Sequence, residues 1–137
     1  MTIFERFATA FRRHETDDVS QTRREALVDL LVWAMFVDHH LALAEHEKLA
    51  ELTEDLPWDS IVSLSDYLAE SVARARDVLD DEEAAADYLE SLGERLGDRP
   101  SRRRAFVACE HMAAADGKLV PEEAAHLRAV AKAFDLR

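Results

Sequence analysis

A chain of 137 residues, 48% of them hydrophobic, is the size of one ordinary domain and can bury a core without a covalent staple. The single cysteine, Cys109, excludes an intramolecular disulfide. The formal net charge of −12 is concentrated between Asp38 and Asp98, where 18 acidic residues face 4 basic ones; a field of that sign argues against nucleic acid or anionic membrane surfaces and favours cations or basic proteins.

Cys109 lies in the apolar run Ala105-Phe106-Val107-Ala108-Cys109, where a reduced thiol behaves as a small hydrophobe, so a reducing, cytoplasmic setting is expected. Met1 to Arg13 has charges scattered among Ile3, Phe4, Phe7 and Phe11 and lacks the continuous apolar run of a signal peptide, so it reads as mature structure. The most hydrophobic run, Leu27 to Val37, is interrupted by Asp29 and falls short of the roughly 20 residues that a bilayer requires, which predicts a core helix and no membrane insertion.

Three glycines, three prolines and no convincing alternation of apolar and polar residues predict an all-helical single domain, a bundle of about seven helices spanning 1–137. The first helix, about Ile3 to Arg13, carries Ile3, Phe4, Phe7 and Phe11 on one face. The second begins near Ser20, an N-cap candidate, and runs to Val37; its apolar residues surround nearly the whole circumference, which predicts the central helix. A third covers about Ala44 to Glu54 and stops ahead of Pro57.

The fourth helix is expected from about Asp59, because Ile61, Leu64, Leu68, Val72, Ala75 and Leu79 trace one stripe with a period near 3.6. A fifth spans Glu82 to Leu96 and ends at Gly97. Pro100 opens a sixth, basic at its start through Arg102-Arg103-Arg104 and apolar through Met112 and Ala115; the triplet is expected to lie against acidic neighbours rather than to read nucleic acid. Pro121 suits the first turn of a seventh.

Across this series runs an internal repeat. Asp38-His39-His40-Leu41 with Glu45 and Leu49 returns as Asp116-Gly117-Lys118-Leu119 with Glu123 and Leu127, at a constant offset of 78 residues. Each copy reads as helix, tight loop, helix: the aspartate closes an apolar helix and the glutamate falls in the first turn of the next. Structure alone accounts for much of it, since Gly117 can end a helix in the left-handed conformation and Glu123 is favoured near the positive end of a helix dipole.

The stretch AAADGKLVPEEAAHL, preceded by an apolar helix and mirrored in the first half, resembles the TerB-like, tellurite-resistance family over about Ala26 to Leu56 and Arg104 to Leu136. The resemblance implies about seven helices with pseudo-twofold symmetry, no enzymatic activity, and paired acidic positions grouped on one surface to bind a divalent cation. The matching positions are Asp38 and Glu45 in the first copy and Asp116 and Glu123 in the second.

The first copy departs from the pattern: Asp38-His39 stands where the family has Asp-Gly, so either His39 takes the left-handed region or that loop is built differently. The substitution also gathers His39, His40 and His46 near Glu45 and Glu47, a mixture that would suit Zn²⁺, whereas four carboxylates suit Ca²⁺ or Mg²⁺. Neither HExxH nor a twelve-residue calcium loop occurs, and no glycine-rich nucleophile turn or phosphate loop points to an enzyme. Trp33 and Trp58 are expected to fill the core, and His111 and His126 to sit on helix surfaces or at the core edge. The functional expectation is therefore a non-catalytic binding module in a stress or metal-related complex, engaging a divalent cation or a basic protein and compatible with a homodimer. The alternative is a metal-independent interaction adaptor, motivated by the amphipathic first helix.

Overall fold

A computed structural model describes residues 3–14, 20–39, 58, 60–113 and 121–136. The described residues form six helices and no strand: α1 (Ile3–His14), α2 (Gln21–His39), α3 (Leu64–Asp77), α4 (Glu82–Leu96), α5 (Arg99–Ala113) and α6 (Pro121–Ala133). The helix expected over Ala44 to Glu54 lies outside the described residues.

The all-round apolar sequence of α2 makes it the axis of the bundle: every residue from Ala26 to Phe36 is buried, and α2 touches each of the other five helices. The Ser20 hydroxyl accepts the Arg23 N–H at 3.3 Å, the capping contact expected of that residue. Against α2 and α5, α1 seats Phe7, Ala8, Ala10 and Phe11, all buried. The amphipathic stripe that motivates an adaptor surface is thus committed to the core at Phe7 and Phe11.

Two boundaries differ from the sequence reading for local reasons. The first is the start of α3, which begins at Leu64 rather than near Asp59. Ser63 sits in extended backbone (φ −63°, ψ 155°) and its hydroxyl accepts the Asp66 N–H at 3.1 Å. Just upstream, the Val62 N–H is taken by the Ser60 hydroxyl at 3.2 Å and the Val62 carbonyl by the Trp58 indole at 2.9 Å, so both backbone groups of Val62 are held in a bend. Ile61 therefore falls outside the helical stripe and is fully exposed.

The second is the end of α2, which runs on to His39 and includes Asp38 and His39 in its last turn. The other ends follow side-chain chemistry. Asp81 caps α4 by accepting from the Glu83 and Ala84 N–H groups at 3.0 and 3.1 Å, and Asp98 accepts the Ser101 N–H at 2.9 Å at the start of α5. Gly97 ends α4 at φ 86°, a conformation open to glycine.

Gly93, inside α4, has a packing role. A methyl group there would stand 3.1 Å from the Phe134 ring, which is fully buried just beyond α6, so the glycine lets α4 and the end of α6 approach.

Candidate functional site

The acidic positions that matter most in the sequence are only partly within the described structure. Asp38 and His39 occupy the last turn of α2, and Glu123 stands half-buried in the first turn of α6 beside the exposed Glu122. Glu45, Asp116, His40 and His46, together with Gly117, lie outside the described residues. Among the described residues no group of three or more His, Cys, Asp or Glu side chains is placed to hold a metal ion.

One contact does tie the two halves of the repeat together. Trp33 of α2 meets His126 of α6 edge to face, with ring centroids 5.9 Å apart and planes at 75°. Glu123 precedes His126 by three residues, about 4.5 Å along the axis, and Asp38 follows Trp33 by five, about 7.5 Å. The Trp33 indole N–H, in a residue only 3% exposed, has no hydrogen-bond acceptor among the described residues. An unpaired donor of this kind is complementary to carboxylate oxygen.

The structure also contains a polar centre that the sequence reading passed over. Asp29, 0% exposed on the central helix, accepts three hydrogen bonds: from the Tyr67 hydroxyl at 2.8 Å, Arg74 Nη2 at 2.9 Å and Arg95 Nη1 at 2.7 Å. Arg95 Nη2 donates to the Tyr67 oxygen at 3.0 Å, and the Arg74 guanidinium lies 5.1 Å from the Tyr67 ring centroid. The single tyrosine proton goes to Asp29 rather than to the Glu25 carbonyl, which is 3.5 Å away. Trp58 packs on Tyr67 from outside at 5.1 Å.

Burial first, and then the Asp29 charge and hydrogen bond, push the Tyr67 phenol well above its usual range. Burial and the Asp29 charge likewise push the Tyr88 phenol up to about 12; its buried hydroxyl lies close to Arg74 without a hydrogen bond of good geometry. For Arg74 and Arg95 burial works against the charged form, but the Asp29 carboxylate outweighs it and both stay ionised. By accepting three bonds, two of them from guanidinium groups, the Asp29 carboxylate ties α2, α3 and α4 together. The signal for it was the one charge inside the Leu27 to Val37 run.

The remaining candidates fall where sequence placed them. Cys109 is buried, Trp33 is in the core, Trp58 is half-buried against it, His126 is at the core edge and His111 is on the surface. The arginine triplet departs from expectation: Arg103 and Arg104 are exposed and none of the three makes an ion pair among the described residues, while the acidic residue at that end, Asp98, pairs with Arg23 at 3.3 Å. Hydrogen bonds from Ser101, with smaller help from Arg23 and Arg104, hold the Asp98 carboxyl below its usual range. No described helix is long and apolar enough to cross a membrane.

No curated protein and no solved structure matches the chain. A family model does: the one described as tellurite resistance protein TerB matches residues 24–137, which run from the first turn of α2 through α6 and include both copies of the repeat. With the matched region covering well over half its length, the chain belongs to the TerB family.

Proposed function

We propose that this chain is a non-catalytic TerB-family binding module of the cytoplasm, serving tellurite or other stress resistance. Its acidic positions Asp38, Glu45, Asp116 and Glu123 hold a hard divalent cation and through that surface engage a basic protein. The observation that supports this reading best is the Trp33–His126 contact, whose indole N–H has no acceptor among the described residues. It joins the helix whose last turn holds Asp38 to the helix whose first turn holds Glu123. The donor set is all carboxylate oxygen, which fits Ca²⁺ or Mg²⁺ ahead of Zn²⁺; zinc would draw instead on His39, His40 and His46.

The four acidic residues would supply the charge that a hard cation needs. Thermal melts in Ca²⁺, Mg²⁺, Mn²⁺ and Zn²⁺ test the reading. A cation at a hundred times its dissociation constant stabilises the native state by about 2.7 kcal/mol. Asp116→Asn with Glu123→Gln should abolish the rise, and no response of the wild type to any of the four ions refutes the cation site. Loss of the Zn²⁺ response alone in a His39→Ala, His40→Ala, His46→Ala variant would assign the histidines to zinc.

A further inference from the structure

The charge of this protein is divided between helices in a way that the acidic total conceals. On α4, Glu83, Asp87, Glu90 and Glu94 follow a spacing of four, three and four residues, which sets them on one face, and all four are exposed. None makes an ion pair within 4 Å among the described residues. Carboxylates three and four residues apart repel one another, so the stripe weakens its own helix.

The first turns of α5 show the opposite sign. Arg99, Arg103 and Arg104 are exposed and Arg102 is half-buried, again without an ion pair among the described residues. The helix packed against α5 adds Arg6, and the buried Nε atoms of Arg6 and Arg102 have no acceptor among the described residues. Although α5 begins only three residues after α4 ends, no ion pair joins the arginines of one to the carboxylates of the other.

We infer that the arginine face at the start of α5 docks on the carboxylate stripe of α4 in a second copy of the chain. Arg99 with Arg103, and Glu90 with Glu94, are each one helical turn apart, so the two pairs share a spacing of about 6 Å and can face each other in register. A nucleic acid would meet the same arginines but would have to approach a chain of net charge −12, whereas a second copy brings a carboxylate stripe of matching spacing. Each copy carries a face of both signs, so the contact either closes reciprocally in a pair or runs on head-to-tail.

Sedimentation of the full chain tests this directly. At about 0.15 M salt the average mass should rise with protein concentration and fall back to the monomer at about 1 M, where exposed charges are screened within about 3 Å. Arg99→Glu with Arg103→Glu, and separately Glu90→Lys with Glu94→Lys, should each weaken association at least about tenfold while leaving the helical circular dichroism intact. An equimolar mixture of the two variants opposes the intact arginine face to the intact carboxylate stripe and the two reversed faces to each other, all of opposite sign, and should regain association.

A monomeric wild type at every concentration, or assembly unchanged by both reversals, overturns the inference. So does a mixture that fails to recover association. A short DNA duplex that binds wild type tightly and loses binding in the Arg99→Glu, Arg103→Glu variant would reassign the face to nucleic acid and equally overturn it.

Discussion

Replacing Asp29 by Asn removes one negative charge from the middle of the bundle while keeping the side-chain volume. The carboxylate accepts from Tyr67, Arg74 and Arg95 at 2.7 to 2.9 Å, and breaking a fully buried pair of this kind costs about 3–5 kcal/mol. The Arg74 and Arg95 side chains retain 40% and 31% of their exposure, so water can rehydrate the guanidiniums; discounting for that leaves a loss of about 2–3 kcal/mol. Urea denaturation should show it as a lower midpoint at unchanged slope. The triple variant Asp29→Leu, Arg74→Met, Arg95→Met should lose less than Asp29→Asn alone, because it removes the charges together instead of stranding two of them. If Asp29→Asn stays within about 0.5 kcal/mol of wild type, the centre is not holding α2, α3 and α4 together.

Three further outcomes follow from particular contacts. Gly93→Ala gains about 1 kcal/mol of helix propensity but sets a methyl 3.1 Å from the fully buried Phe134 ring; overpacking costs about 1–3 kcal/mol, so the variant should melt lower, and Phe134→Leu should relieve the loss. Phe11→Ala should cost about 3–5 kcal/mol in denaturant melts, since the ring is fully buried where α1 meets the bundle. At alkaline pH the native phenols of Tyr67 and Tyr88 bind protons more tightly than the unfolded ones. Stability is therefore intact below the ordinary tyrosine value of 10.0 and falls as pH rises toward 12; a melt series across that window should steepen, less so in Tyr88→Phe.

Fold was more legible than chemistry because helix periodicity is a property of neighbours in sequence. The stripe on α3 through Leu64, Leu68, Val72 and Ala75 and the caps at Ser20 and Gly97 involve residues at most a few positions apart, and the observed helices follow them. The start of α3 departs from the stripe because Ile61 satisfies the periodic pattern while Ser63 and Trp58 dictate the backbone; a stripe records compatible spacing, not the hydrogen bonds that begin a helix. The Asp29 centre is the clearest case of what spacing cannot carry. Its partners are 38, 45 and 66 residues away, so nothing near Asp29 in the sequence identifies them.

The same distinction bears on the acidic positions of the repeat. A glutamate that serves only the helix dipole can do so from the surface, as Glu122 does in the first turn of α6. Glu123, its neighbour in the same turn, is half-buried, where a carboxylate gives up hydration that dipole service does not require. One turn further along, His126 meets a tryptophan whose buried indole N–H has no acceptor among the described residues. Two polar groups drawn inward at the meeting point of the repeat's halves, beyond what helix ends demand, are the physical reason to look for a ligand there. Glu122→Gln, which alters the dipole alone, should leave the cation response in place, and Glu123→Gln should remove it; equal behaviour of the two variants in the melt titration would reduce both residues to capping.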